Sequence, residues 1–342
     1  MKRRSFLLAQ AQAPGDDDPM ATLTPEMRRI IEELDSLGGK PIDKLSVAEA
    51  RKQPRIGAAA ASVLTKQGKT APASDVTSQD LQYTGPGGSQ LLRVYRPANA
   101  PATNAPVVLY FHGGGWVLAG VADYESAAKA LARSSGALVA TAAYRQAPEH
   151  RFPAAHDDAY AAYLWLRANA ASFGGDAKRI AVTGEEAGGN LAINVALRAR
   201  DAGIKQPVYQ LLICPIAGTY MGSYSYNRCE FAKPLNKAIM AWYFKQAVDQ
   251  KNVEDRRLNV GNFELMNLPR TTIITADVDP LMFEGKLLGH KLESANVPTR
   301  YMNYEGATHG FFGLDAVLRE ARQAQALAGE QLVAAFENAA GK

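Results

Sequence analysis

From Thr24 onward the spacing of apolar residues changes period again and again, and each change predicts an element. "LTPEMRRIIEELDSL" has apolar residues at helical spacing, with Thr24 placed as N-cap and Pro25 at the first helical position. A second helical stretch is predicted at "SVAEARK", where Ser46 and Glu49 have the spacing of a capping box. The Ala-rich region from Pro54 to Ala73, broken by Pro and Gly, leads to "LLRVYRP", an alternating strand stopped at Pro97.

Beyond Pro97 strand and helix periods alternate. Strands are predicted at "APVVLYFHGGG", "ALVATAAY", "RIAVTG", "PVYQLLICP", "RTTIITADVDP" and "TRYMNYEG". Between them lie the helical patterns "SAAKALARSSG", "AAHDDAYAAYLWLRANA", "GNLAINVALRARDAG", "LNKAIMAWYFKQAV" and "FEGKLLGHKLESANV", and a last helix runs from about Leu314. Strands separated by helices of about 10–15 residues indicate βαβ units, hence an α/β fold with a mostly parallel, doubly wound sheet. The expected organisation is a tail over 1–23, an N-terminal helical cap over 24–75, and a single catalytic domain over 76–342. The sequence contains no internal repeat and no low-complexity linker.

Composition narrows the function. At 342 residues and 47% hydrophobic the chain can bury a large core, which excludes a disordered or collagen-like protein. The net charge of +4 is spread without basic blocks, so neither nucleic acid nor a polybasic membrane contact is expected. No apolar run approaches the roughly 20 residues of a membrane span. The start, "MKRRSFLLAQAQAPGDDD", is similar to a twin-arginine export signal at Arg3 and Arg4. Its apolar tract, Phe6 to Ala9, is shorter than the roughly 7–15 residues of a working signal, so a relic signal or plain tail is expected. A cytoplasmic location is favoured, with export as the alternative, and a homodimer is left open. Cys214 lies in an apolar run and reads as a buried free thiol; with Cys229 it makes no disulfide framework.

In a sheet of this kind ligands bind beyond the carboxyl ends of the strands. Four junctions there carry glycine or polar residues: His112–Gly115, Gly184–Gly188, Ala276–Pro280 and Gly306–Gly310. "RIAVTGEEAGGN" is a strand, a Gly-x-x-x-Gly turn and a helix, the shape of an elbow that lifts its middle residue, Glu186, above the sheet. An isolated run of three glycines is more often a flexible turn, and an isolated loop histidine is more often structural. Of the five histidines, His112 belongs to the glycine turn and His290 to the surface of a helix. His150 and His156 fall in "APEHRFPAAHDD", where capping or solvation of the helix is favoured over a metal, because no His pair at i, i+4 and no Cys partner is present. That leaves His309, after the junction bearing Asp279, as the favoured base.

"FHGGGWVLAG", "YRQAPEHRFPAAHDD", the "GEEAGGN" elbow, "DVDPLMFEG" and "YEGATHGFF" occur in this order, and together they resemble the hormone-sensitive-lipase-like esterases of the α/β-hydrolase superfamily. The likeness runs from about Leu91 to the C-terminus, and the preceding helices resemble that family's cap. It implies an α/β-hydrolase fold and ester hydrolysis by Ser-His-Asp chemistry on small apolar or aromatic esters, with no metal or organic cofactor. It also implies Asp279 and His309 as catalytic acid and base, and oxyanion-hole amides among Gly113, Gly114 and Gly115 together with Ala187. An apolar pocket is expected from Trp116, Tyr220, Tyr224, Met282 and Phe283, although core packing explains about half of the aromatic cluster equally well.

The chain departs from the family at the elbow, where Glu186 stands in place of the nucleophilic Ser. Ser works because His takes its proton and the acyl-enzyme formed is an ester that water can cleave. A carboxylate attacking an ester would form a mixed anhydride while expelling an alkoxide, so the intermediate collapses backwards. Glu186 could still act as a nucleophile at carbon or as a general base. It could equally silence the site, by pairing with protonated His309 or by filling the oxyanion hole. Electrostatics favours the silent outcome, and weak or absent esterase turnover is expected.

Overall fold

The computed structural model describes residues 18–70 and 75–341. The Arg3–Arg4 pair and the Phe6–Ala9 tract lie outside the described residues. Among the described residues eight strands form one sheet: β1 (Val76–Gly85), β2 (Gly88–Pro97), β3 (Ala105–Phe111), β4 (Leu138–Ala142), β5 (Gly175–Glu185), β6 (Gln210–Ile213), β7 (Thr271–Val278) and β8 (Thr299–Thr308). Their order is β1-β2-β4-β3-β5-β6-β7-β8. β2 pairs antiparallel with both β1 and β4, and every pairing from β4 through β8 is parallel. This is the α/β-hydrolase fold expected from the alternation of periods.

The helices are α1 (Pro25–Ser36), α2 (Val47–Ala50), α3 (Ile56–Lys66), α4 (Glu125–Ser135), α5 (Ala154–Asn169), α6 (Ala187–Asp201), α7 (Tyr224–Arg228), α8 (Lys237–Ala247), α9 (Met282–Ser294) and α10 (Arg319–Ala340). Alternate residues of β3 enter opposite layers. Val107, Leu109 and Phe111 pack with residues of α5, α6 and α9, whereas Val108 and Tyr110 pack with residues of α1, α3, α4 and α10. A strand covered on both faces reads as one continuous apolar run, which is how "APVVLYF" reads.

Strand order fixes the location of the site. β3 connects to β4 on one side, and the chain then crosses back to place β5 on the other, so the order reverses between β3 and β5. A crevice opens at such a switch point beyond the carboxyl ends of the strands. The glycine turn after β3 and the elbow after β5 border it, with Phe111 in register with Gly184.

The cap is held by the bonds its sequence predicts. Thr24 Oγ1 accepts the amide of Met27 at 3.3 Å. Ser46 and Glu49 close their capping box, amide to side chain, at 3.0 and 3.3 Å. Arg51 ties this region to the main domain: its guanidinium donates to Val117 O at 3.1 Å, to Ala147 O at 2.9 Å, and to both oxygens of Glu149 at 2.6 and 2.7 Å.

Three features differ from the sequence reading. The Ala-rich connection contains α3, whose Ile56, Ala59, Ala60 and Val63 follow helical spacing and share a core with Met27, Ile30 and Ile31 of α1. β1 gives no strand signal in the sequence because it is an edge strand with four consecutive exposed residues, leaving little apolar alternation to read. The packed chain begins before Thr24: Pro19–Thr22 forms a 3-10 turn, Leu23 is buried, and Thr24 donates its amide to Gly306 O at 3.0 Å. Among the described residues no helix is long and apolar enough to cross a membrane.

Candidate functional site

The elbow is built from close backbone approaches. A Cβ on Gly188 would lie 2.0 Å from Phe111 O, and one on Gly184 would lie 2.2 Å from the backbone of Gly188, so neither position admits a side chain. Between them Glu186 adopts φ 54° and ψ −113°. A non-glycine residue in such a conformation costs about 1–3 kcal/mol and persists only where its surroundings enforce it. Here they do: the Glu186 amide donates to Ile213 O at 2.9 Å, and its carbonyl accepts from Ile216 at 3.0 Å and Asn190 at 3.2 Å.

The Glu186 carboxylate is buried, with the residue 1% exposed. Its Oε2 accepts the backbone amides of Gly114, in a short bond, and of Gly115, at 2.9 Å. Its Oε1 has no hydrogen-bond partner among the described residues. The amides are aimed by the turn itself, in which Gly114 O accepts from Val117 at 2.9 Å and from Leu118 at 2.8 Å. Gly113 lies against the same oxygen, since a Cβ there would sit 2.9 Å from Oε2. Ala187 follows as the first residue of α6.

Asp279 and His309 meet as the junctions suggested. Asp279, fully buried after β7, places Oδ2 2.7 Å from His309 Nδ1, and its Oδ1 accepts the Leu281 amide at 2.9 Å. Burial works against a charge on His309. The Asp279 carboxylate and its hydrogen bond, with Glu186 and Glu185, outweigh this and lift the imidazole pKa to about 9. Glu185 accepts from Tyr110 Oη at 2.5 Å. Burial raises the Glu185 pKa to about 7, with Glu186 adding to the rise and the Tyr110 bond and His309 opposing it.

His309 and Glu186 wall a cavity of about 160 Å³. Its apolar walls include Ile56 at the start of α3, Leu118, Leu235, Ile239 and Tyr243 of α8, and Leu314. Arg55 and Asp123 also line it and pair with each other at 3.1 Å. Cys214 is a buried free thiol, pushed well above its ordinary pKa by burial and by Asp279. Cys214, Asp279 and His309 bring ligand atoms within 4.8 Å of one another, but a thiol held protonated and an imidazole bonded to carboxylate are a poor donor set for a metal.

The residues expected to form the pocket lie elsewhere. Trp116 is buried, with its ring packed against those of His156 and Phe244, and it does not wall this cavity. Tyr220 and Phe283 wall a separate cleft of about 360 Å³ with Leu287. Tyr224 is exposed, and Met282 begins α9 without reaching the cavity. The walls come instead from α3, α8 and the loops bearing Leu118, Leu235 and Leu314, whose apolar residues a sequence reading assigns to core packing.

The "AAHDD" segment is also corrected. His156 is buried with Nε2 2.8 Å from Asn190 Oδ1, and Asp158 is fully buried against Arg145 at 2.8 and 2.9 Å, so neither caps or solvates the helix. Asp157 does face outward, pairing with Arg198 at 2.8 Å.

A family model described as alpha/beta hydrolase fold matches residues 108–313. The carboxylesterase NlhH of Mycobacterium tuberculosis is 37% identical over 238 residues, 68% of this chain and 74% of that protein. The esterase of Pyrobaculum calidifontis superposes with a TM-score of 0.80 at 33% identity, covering 91% of this chain and 98% of that one. An ester hydrolase from the metagenome of Lake Arreo, solved with a bipyridine phosphonate derivative, superposes with a TM-score of 0.82 at 35% identity, covering 92% and 99%. The matched fold, the motifs in their order and these esterase relatives place the chain in the hormone-sensitive-lipase-like esterase family of the α/β hydrolases.

Proposed function

We propose that this protein carries the apparatus of a carboxylesterase for small apolar or aromatic esters, held silent by Glu186. The observation that carries this reading is the double hydrogen bond from Gly114 and Gly115 to Glu186 Oε2. In ester hydrolysis those amides, with that of Ala187, would stabilise the oxyanion, a contribution worth about 2.7–4 kcal/mol for one donor. With a tethered carboxylate seated there, a substrate carbonyl has no hole to enter. His309 is charged near neutral pH, so it is a poor base as well.

The rival roles for Glu186 find less support. A general base or a nucleophile at carbon needs an oxygen open to the bound substrate. Oε2 is held by two amides and Oε1 is enclosed. A residual binding role for small ligands remains compatible with the open, apolar cavity. The test is reaction with a p-nitrophenyl phosphonate, read by intact mass. The Glu186→Ser protein is expected to gain one phosphonyl group and the parent none. Labelling of the parent at residue 186, or of neither protein, would refute the silenced-esterase reading.

A further inference from the structure

We infer that the Glu186 side chain is a built-in copy of an acyl-enzyme, and that the site it leaves is a receptor for small uncharged alcohols. This rests on the reading of the Gly114–Gly115 amides as an oxyanion hole. Atom for atom, an acylated serine runs from Cβ through Oγ to a carbonyl carbon. That carbon bears an oxygen in the hole and the first atom of the acyl chain. Glutamate runs from Cβ through Cγ to Cδ, which bears Oε2 and Oε1. In this structure Oε2 takes the hole, accepting from Gly114 and Gly115. Oε1 is buried and has no partner among the described residues, as the first atom of an acyl chain would have none. Glu186 is 1% exposed, so the copy fills its share of the site.

An acyl-enzyme next receives an oxygen nucleophile, water or an alcohol, between the His and the carbonyl carbon. That part of the site is intact. His309 walls the cavity and commits Nδ1 to Asp279, so Nε2 is the nitrogen left to donate to a ligand oxygen. The apolar body of the ligand would lie among Leu118, Ile239 and Tyr243. The cavity, about 160 Å³, is close to the roughly 150 Å³ space that accepts benzene. A carboxylic acid is disfavoured because the amides that would hold its oxygen are already taken by Glu186, and because the cations lining the cavity, Arg55 and His309, are already paired, with Asp123 and Asp279. The ligand class is therefore a small alcohol or phenol, bound without turnover.

The probes are benzyl alcohol, benzoate and toluene, titrated calorimetrically near neutral pH into the parent, Glu186→Gln and Glu186→Ser proteins. The parent is expected to bind benzyl alcohol at least about tenfold tighter than benzoate or toluene. Glu186→Gln keeps the acyl shape without the charge and should keep the preference over benzoate. Glu186→Ser opens the hole and should narrow or reverse it. Parent binding of benzoate or toluene as tight as that of benzyl alcohol, or no binding of benzyl alcohol, overturns the inference. So does a Glu186→Gln protein that takes benzoate as well as Glu186→Ser does. These titrations need no turnover, so their failure is separate from failure of the phosphonate reaction.

Discussion

Asp279 Oδ2 lies 2.7 Å from Nδ1 of His309, and this contact, with Glu186 and Glu185 close by, keeps a proton on a half-buried imidazole. The stability consequence has a definite sign. The His309 pKa rises from 6.5 to about 9 on folding, so its contribution is complete below the unfolded value and is lost as pH rises through 9. Glu185, raised from 4.5 to about 7, contributes in the same sense, its share being lost as pH rises through 7. The melting temperature should therefore fall between neutral pH and about pH 9.5, and fall less in Glu186→Gln, which removes one carboxylate favouring the imidazolium. Thermal unfolding across that range checks this, and equal slopes for the two proteins would contradict it.

Gly114 has φ 102°, and a Cβ there would meet Leu118 O at 2.2 Å. Gly114→Ala combines a disfavoured backbone with a backbone clash, so a loss above about 3 kcal/mol is expected. Chemical denaturation measures it. A near-neutral effect would mean that the turn tolerates another shape, and the aim of its amides would lose its basis.

Arg51 holds the cap through four hydrogen bonds, to Val117, Ala147 and both oxygens of Glu149. Arg51→Ala should cost about 2 kcal/mol, the scale of bonds involving a charged group. It should also speed proteolysis between α1 and α3, because α2 loses its tether. Unchanged digestion there would show that the cap is fixed by its apolar contacts alone.

Legibility in the sequence followed how local each determinant is. The elbow was legible because Gly184 is forced by Gly188 four residues on, and Gly188 by the end of the neighbouring strand at Phe111, so the turn leaves a Gly-x-x-x-Gly pattern between a strand and a helix. His309 and Asp279 were legible because strand ends in a parallel sheet converge at one edge. The cavity walls were not. Ile56 and Tyr243 line one cavity with Glu186 only through the tertiary packing of α3 and α8, which no local period reports. His156 and Asp158 read as capping or solvating the helix because charged and polar side chains usually do one or the other. Their burial depends on Asn190 and Arg145, partners 34 and 13 residues distant. The position of the Glu186 carboxylate was one of several outcomes compatible with the sequence, since a side-chain rotamer is set by what surrounds it.

The measurement that bears most directly on the central claim is hydrolysis of p-nitrophenyl acetate by the parent and by Glu186→Ser, side by side. Removing the carboxylate and supplying a hydroxyl should raise the rate by several orders of magnitude over a near-silent parent. A parent that hydrolyses the ester as fast as the Glu186→Ser protein, or faster, would contradict a site silenced by its own glutamate.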